Sequence, residues 1–251
     1  ADALLMTGYR YGSDKAVSLT EEWLHFIARE AYLSSIELAK EKGAFPLFDS
    51  EKFLSSGNMK RMDSDIKEEI KANGIRNALL TSIAPTGTIS LYAGNVSSGI
   101  EPIFAYSYDR KVIQNDGSKR KEEVTDYAIS LWKSKYGTTE FPSYFVNAQV
   151  LDPLEHVKMQ AAAQKWVDSS ISKTINCPEN ISFENFKEVY LAAWDQGCKG
   201  CTTYRPNRVT GSVLSISHTE RTEAEAPNGN KRNPENGAVV YMSEPLARPQ
   251  D

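Results

Sequence analysis

Residues 81–102 read TSIAPTGTISLYAGNVSSGIEP, and a short, mostly apolar run at 77–84 leads into them. That run is too short for a buried helix of three or four turns, so it predicts an interior β-strand. Pro85 ends the strand, because proline has no N–H to donate to a neighbouring strand. A small turn at 86–88 follows, and residues 89–93 are expected to form the first turns of a helix.

A strand, a turn and a helix start in succession form a candidate anion site. The first N–H groups of a helix have no partner within it and carry partial positive charge. Gly87 lets an anion approach the backbone, and the hydroxyls of Thr86 and Thr88 add neutral donors. A Walker loop is excluded, because no Gly-Lys-Ser/Thr follows. The pattern also fits a threonine that only caps the helix, and the residues alone leave both interpretations open.

The composition limits the class of protein. At 251 residues with 40% hydrophobic content, the chain can form one large domain or two small ones. The net charge is −4 and the basic residues are scattered, so we do not expect duplex nucleic acid as a partner. The chain has no run of eighteen apolar residues, so we expect no membrane span and no membrane partner. Three cysteines favour a reducing cytoplasm over a disulfide framework. The chain starts at Ala1 inside an apolar run, which suggests a fragment of a longer protein.

Helix and strand signals alternate along the chain. Ser18 and Glu21 fit a capping box, and apolar residues keep helical spacing until Gly43. Asp152 as N-cap and Pro153 at the first helical position mark another helix start. Further helices are expected at 64–72, 124–133 and 183–193, and further strands at 104–113, 169–176 and 201–204. This order predicts an α/β unit with a mainly parallel sheet.

Two pairs of residues have spacings that could carry chemistry. Cys198 and Cys201 are spaced like a redox pair or half a zinc site. They follow a helix, where the dipole disfavours a thiolate, so we interpret them as structural thiols. His156 and Gln160 lie one turn apart on the helix that starts at Asp152, and we expect them on its surface.

Isolated histidine and aromatic side chains also receive a structural interpretation. His25 has no second histidine or cysteine at ligand spacing, so no metal site is predicted. Trp166 and Trp194 are expected in the core. Tyr204, at the end of a predicted strand, is the one aromatic residue that we consider a candidate for function.

The character of the chain changes after residue 206, and we predict a first domain at 1–206 and an exit segment at 207–251. Residues 219–237 have almost no large apolar side chain and cannot offset the entropy of ordering, so they predict a mobile linker. Residues 239–242 could form a terminal strand.

Two blocks of the chain, PTGTIS at 85–90 and SSGIEP at 97–102, resemble the substrate-phosphate loop of the ribonucleotide reductase large subunit. Other blocks resemble its adenosylcobalamin-dependent (class II) branch: HVKMQAAAQK at 156–165, VDSSISKTIN at 167–176, GCKGCTTYRPN at 197–207, ADALLM at 1–6 and SEPLARP at 243–249. Iron-dependent relatives relay a radical through two adjacent tyrosines on the last strand. Here Thr203 precedes Tyr204, which favours the cobalamin branch.

The resemblance implies an α/β fold, a ten-stranded barrel of two halves, of which this chain would be the C-terminal half with an extended C-terminal segment. It implies reduction of ribonucleotides by a thiyl radical that adenosylcobalamin generates. The catalytic cysteine would lie upstream of Ala1, on a finger loop of the pattern Asn-x-Cys-x-Glu, so no catalytic role is given to Cys177, Cys198 or Cys201. The substrate-phosphate site carries over to Ala84, Pro85, Thr86, Gly87, Thr88 and Ile89.

The implied partners are a ribonucleoside di- or triphosphate, the N-terminal half of the reductase and a thioredoxin-type reductant. The sequence leaves open whether the substrate is a di- or a triphosphate, which effectors act and whether two copies form a homodimer. Two alternatives to a reductase remain. One is a phosphate-binding α/β enzyme of another reaction class, which would need an acid and a base of its own. The other is a non-enzymatic interaction fragment, which the linker at 219–237 would also suit.

Overall fold

The computed structural model describes residues 1–113, 116–206 and 215–216. Within them the helices are α1 (Asp2–Met6), α2 (Asp14–Lys42), α3 (Ser50–Leu54), α4 (Ser64–Asn73), α5 (Gly87–Tyr92), α6 (Tyr127–Tyr136), α7 (Pro153–Gln164) and α8 (Phe183–Asp195). The strands are β1 (Ser107–Ile113), β2 (Lys119–Thr125), β3 (Thr174–Asn176), β4 (Thr202–Tyr204) and β5 (Ser215–Ile216). None of these helices combines the length and the apolar character needed to cross a membrane. The predicted linker at 219–237 and the predicted strand at 239–242 lie outside the described residues, and the domain division at 206 stays a prediction.

Helix α2 starts earlier than the sequence pattern predicts. The Ser13 side chain accepts a hydrogen bond from the Ala16 amide at 3.2 Å and is the N-cap. Ser18 lies inside the helix, where its hydroxyl donates to the Asp14 carbonyl at 3.0 Å. The predicted cap at Ser18 is therefore wrong, because an equally good serine cap lies five residues before it. The predicted end at Gly43 is confirmed, with φ at 78°.

The start of α7 is confirmed in detail. The Asp152 side chain caps the helix, and Glu155 completes a capping box by accepting from the Asp152 amide at 3.0 Å. The helix ends at Gln164, short of the predicted 168. Helix α6 starts after Asp126, later than predicted, because residues 119–125 pair as a strand.

Two sheets are present among the described strands. Strands β3 and β4 are parallel, with Thr174 opposite Thr202 and Asn176 opposite Tyr204. Strands β2, β1 and β5 form an antiparallel sheet in that order. The strand predicted at 104–113 is found as β1, which starts at Ser107. Among the described strands, the predicted mainly parallel sheet is limited to the β3–β4 pair. These strands do not close a barrel, so the ten-stranded arrangement stays a prediction.

The prediction of an interior strand at 77–84 is wrong, because these residues pair with no described strand along their length. Their only pairing is a parallel bridge between Ile83 and Ile171, with the Ser172 amide donating to the Ile83 carbonyl at 3.0 Å. None of residues 77–84 is buried. The segment is extended but covered on one side only, because no described strand lies along its other edge.

Helix α7 forms the centre of the packing and lies against α2, α8 and β3. Val157 and Ile175 are fully buried and join Val189 in the cluster between α7, β3 and α8. Trp166 is half-buried and stacks on His25, with ring centroids 4.1 Å apart. The core prediction for Trp194 is wrong: this side chain is 80% exposed on the outer face of α8.

Candidate functional site

The predicted anion site lies at the start of α5. Thr86 is the N-cap residue and has φ at 52°, in the left-handed region. It makes no side-chain capping bond; instead, its Oγ1 accepts a hydrogen bond from the Gly99 amide at 2.8 Å. The interpretation of Thr86 as a side-chain cap is therefore wrong. Thr88 lies exposed in the first helical turn.

The first amides of α5 have no hydrogen-bond partner in the part of the chain that the structure describes. The first helical hydrogen bond runs from the Ser90 amide to the Thr86 carbonyl at 2.8 Å. The amides of Gly87, Thr88 and Ile89 precede it and have no acceptor among the described residues. A Cβ added at Gly87 would meet no atom within 4 Å, so the approach to these amides is open.

Residues 97–102, the second block of the loop, pass directly behind the turn. Gly99 has φ at +54°, and a Cβ there would lie 2.8 Å from the Ala84 carbonyl oxygen. Only glycine allows this approach without moving the backbone. Both blocks and the ends of β3 and β4 border a cavity of about 460 Å³, whose lining includes Pro85, Ser98, Glu101, Thr174, Asn176 and Thr202.

A buried ion pair ties the second block to β3. Lys173 Nζ donates to Glu101 Oε2 at 2.6 Å, and the Thr174 amide donates to Glu101 Oε1. The Lys173 side chain is completely buried, whereas that of Glu101 is 24% exposed where it borders the cavity. Lys173 Nζ also donates to the Thr174 carbonyl at 2.7 Å and contacts His156 Nδ1 at 2.9 Å.

The hydrogen bond between Lys173 and His156 sets the tautomer of the imidazole. An ammonium group has only donors, so His156 Nδ1 accepts and the ring proton lies on Nε2. Burial, and next the Lys173 charge, lower the pKa of His156 to about 3, so the ring is neutral. Burial also lowers the pKa of Lys173, while the Glu101 carboxylate acts in the opposite direction.

Tyr11 closes this cluster on another side. Its hydroxyl donates to the Ile100 carbonyl at 2.6 Å, and Lys173 Nζ lies 5.9 Å from the centre of its ring. Burial, and next the Glu101 charge, raise the pKa of Tyr11 well above its ordinary value. Tyr11 therefore stays a neutral donor and holds the second block at Ile100.

A second buried group holds the chain ahead of the turn. Asp168 accepts hydrogen bonds from the Tyr32 hydroxyl at 2.7 Å and from the Asn58 amide group. Its other oxygen accepts from the backbone amides of Leu80 at 2.7 Å and Thr81 at 3.2 Å. The position of residues 80–81 is thus set by a carboxylate in the link between α7 and β3.

The surface prediction for His156 and Gln160 is wrong. Both are fully buried, because α7 is covered by α2, α8 and β3. Gln160 donates to the Gly200 carbonyl in the loop before β4. The sequence analysis also missed Lys173 and Glu101 as site residues. The signals available were a lysine within a predicted strand of β-branched and hydroxyl-bearing residues, and a glutamate inside the quoted loop.

The cysteines fit the structural interpretation. Cys177 is buried, and Cys198 and Cys201 are partly buried against the same apolar cluster. Burial, and next the neighbouring Cys201 thiol, raise the pKa of Cys198 to about 11, which opposes thiolate chemistry. Tyr204 pairs with Asn176 at the C-terminal end of β4, and a role for it stays a prediction.

Comparisons with known proteins place this geometry in a family. The family described as "Ribonucleotide reductase, barrel domain" matches residues 1–204. A Mycobacterium tuberculosis protein named vitamin B12-dependent ribonucleoside-diphosphate reductase is 33% identical over 243 residues, covering 90% of this chain and 32% of that protein. A protein of the same name from Thermoplasma acidophilum is 34% identical over 90% of this chain and 29% of its own length.

A Helicobacter pylori ribonucleoside-diphosphate reductase subunit alpha is 25% identical over 84% of this chain and 27% of its own length. The chain thus spans about a third of the length of the curated relatives that it matches. The match to the family covers both blocks of the loop, the α7–β3 link and the parallel β3–β4 pair. The chain belongs to the ribonucleotide reductase barrel domain family.

Proposed function

We propose that this chain supplies the substrate-phosphate-binding half of the barrel in an adenosylcobalamin-dependent ribonucleotide reductase. The reaction is reduction of a ribonucleotide to a deoxyribonucleotide. Support comes from the family match over residues 1–204 and from relatives whose names state both vitamin B12 dependence and ribonucleoside-diphosphate reduction.

The proposed phosphate site consists of six consecutive residues: Ala84, Pro85, Thr86, Gly87, Thr88 and Ile89. The observation that carries it is the set of three outward amides at 87–89, which lack acceptors among the described residues and lie beside the exposed Thr88. Such amides bind phosphate oxygens through hydrogen bonds and the partial positive charge of the helix start. Holding the diphosphate there orients the ribose for a reaction at another part of the barrel.

The radical chemistry is assigned to residues outside this chain. In the proposal, adenosylcobalamin would supply the radical when bound, and a cysteine on a finger loop outside this chain would carry it as a thiyl radical. Among the described residues, no group of three His, Cys, Asp or Glu side chains could hold a metal ion. His156 is sealed behind Lys173, and His25 bonds Asp63 and stacks on Trp166. The role proposed for this chain is nucleotide positioning.

The remaining partners follow from the same proposal. The other half of the barrel covers the exposed side of residues 77–84, and a thioredoxin-type protein supplies reducing equivalents in the cytoplasm. The three thiols at 177, 198 and 201 are free, which suits a reducing compartment. Whether two copies form a homodimer is a question for solution measurements.

Binding of a ribonucleoside diphosphate tests the proposed site. In the complete protein that carries these residues, Thr86→Val removes the acceptor for the Gly99 amide, and Thr88→Val removes a hydroxyl beside the free amides. We expect each to weaken diphosphate binding by roughly three- to tenfold in calorimetric titration. Thr139→Val, an exposed threonine after α6, is the matched control and should leave affinity unchanged.

Two outcomes would count against this assignment. Unchanged affinity in both Thr86→Val and Thr88→Val would show that the phosphates bind elsewhere. Binding of inorganic pyrophosphate as tight as that of the ribonucleoside diphosphate would favour a phosphate-binding enzyme of another reaction class.

A further inference from the structure

We propose that Lys173 is a positioning residue for the phosphate site: through Glu101 and Gly99 it holds Thr86 in the conformation that presents the amides of α5. Lys173 is fully buried, so it can act on a bound nucleotide only through other residues. This inference rests on the proposed function and assigns a role to a cluster that the phosphate-site prediction did not include.

The first step is the fixed orientation of the Glu101 carboxylate. All three protons of the Lys173 ammonium have acceptors: Glu101 Oε2, His156 Nδ1 and the Thr174 carbonyl. The second oxygen of Glu101 accepts from the Thr174 amide. Both Glu101 oxygens therefore accept hydrogen bonds, and every Lys173 ammonium proton is donated. Any other orientation of the carboxylate would leave a buried charge without a partner.

The second step connects Glu101 to the turn. Glu101 lies two residues after Gly99, and the Gly99 amide donates to Thr86 Oγ1 at 2.8 Å. The contact between Gly99 and the Ala84 carbonyl leaves little room for the block to shift toward the turn. Tyr11 holds the intervening residue, Ile100, by its carbonyl at 2.6 Å. A displacement of Glu101 would therefore be passed to Gly99 rather than absorbed between them.

The third step is the strained conformation of Thr86. A β-branched residue at φ 52° is disfavoured and persists only where its surroundings hold it. The bond from Gly99 is the single hydrogen bond of the Thr86 side chain in the described part of the chain. If that bond is lost, Thr86 can relax to an ordinary conformation, and the amides at 87–89 then turn away from the phosphates.

The decisive measurement compares two probes on the complete protein, a ribonucleoside diphosphate and the same ribonucleoside without phosphates. Lys173→Met keeps most of the length of the side chain and removes its charge. We expect diphosphate affinity to fall about tenfold while ribonucleoside affinity is unchanged. Lys165→Met is the matched control, because Lys165 is half-exposed and pairs with Glu21 at the surface. The control should leave both affinities unchanged.

A second variant covers the case in which Lys173→Met fails to fold. Lys173→Met combined with Glu101→Gln removes both charges of the buried pair, so neither charge is left unpaired. This double variant should fold and show the same selective loss of diphosphate affinity. Combined with Thr86→Val, Lys173→Met should add little further loss, because both changes remove the same connection.

Three results would overturn the inference. Equal weakening of both probes would indicate a general structural role for Lys173. Fully additive losses with Thr86→Val would show that Lys173 acts by another route. If Thr86→Val weakens diphosphate binding and Lys173→Met does not, this inference fails while the proposed function stands. A wild-type protein that binds no ribonucleoside diphosphate would overturn both.

Discussion

Asp168 and Lys173 are buried groups in the same short link between α7 and β3, and they hold opposite flanks of the candidate phosphate loop. Asp168 accepts from four neutral donors and sets residues 80–81, ahead of the turn. Lys173 depends on one carboxylate, Glu101, and sets residues 97–102, behind the turn. We call Asp168 and Lys173, each with its partners, the two anchors of the loop. The Asp168 anchor has neutral partners in three segments, so it tolerates the loss of one hydrogen bond. The Lys173 anchor depends on one ion pair.

The largest difference between the two anchors should come from Lys173→Met. Breaking a buried ion pair from one side leaves the Glu101 carboxylate without its counter-charge, at a cost of roughly 3–5 kcal/mol in the free energy of unfolding. Urea unfolding of the variant measures it. Adding Glu101→Gln should recover part of the loss. A cost below about 1 kcal/mol in the single variant would show that water reaches the pair and that the two anchors do not differ in this way.

Asp168→Asn tests the anchor that has neutral partners. The amide group of asparagine must point its N–H₂ at donors already present, either Tyr32 and Asn58 or the Leu80 and Thr81 amides. We expect a loss of about 2–3 kcal/mol, smaller than for Lys173→Met, because only part of the set is disrupted. Asp195→Asn, at the exposed end of α8, is the control. A loss larger than that of Lys173→Met would reverse the ranking.

Gly99→Ala tests the connection between the Lys173 anchor and the turn. The added Cβ would lie 2.8 Å from the Ala84 carbonyl, at a φ of +54° that disfavours alanine. The expected loss is about 2 kcal/mol, accompanied by weaker diphosphate binding. Gly57→Ala is the matched control, since a Cβ there meets nothing within 4 Å and no left-handed φ applies. Unchanged stability and binding in Gly99→Ala would remove Gly99 from the connection.

His156 gives the Lys173 anchor a pH dependence. Its ordinary pKa of 6.5 is lowered to about 3 in the folded chain, so the unfolded state takes up a proton first as the pH falls. Stability from this group is therefore present above pH 6.5 and is lost as the pH falls toward about 3.

Between pH 7 and 5 the expected loss from this group is about 1–2 kcal/mol. His156→Asn keeps an acceptor for Lys173 and does not titrate, so its unfolding free energy should change less between these pH values. Urea unfolding at the two pH values measures the difference. Parallel pH curves for the wild type and His156→Asn would contradict the lowered pKa.

The smallest effect is expected at the surface ion pair of Lys165 and Glu21. It gives the stability change for an exposed pair, with which the change for the buried pair is compared. Both side chains are partly exposed, so solvent screens their attraction. Lys165→Met should change the unfolding free energy by less than about 1 kcal/mol. A larger loss would mean that removing a lysine in this region is costly whether or not it is buried. The loss in Lys173→Met could then not be attributed to the burial of its ion pair.

Local signals in the sequence determined much of what was predicted correctly. Asp152, Pro153 and Glu155 place the start of α7, because N-cap and capping-box bonds join residues within one turn. Gly43 ends α2 for the same local reason. The amides at 87–89 lie just after Pro85, which cannot donate to a neighbouring strand, and Gly87 leaves the approach to them open. The family resemblance rested on contiguous blocks, and the match over residues 1–204 agrees with it.

The tertiary structure alone decided which side chains are sealed from water and which partners they find there. Lys173 and Glu101 are 72 residues apart, and no local pattern pairs them. His156 lies on a helix whose covering elements come from three other parts of the chain, so its burial could not be inferred from α7 itself. Capping and turn formation depend on neighbours in sequence, whereas desolvation of a charge depends on every segment that packs around it.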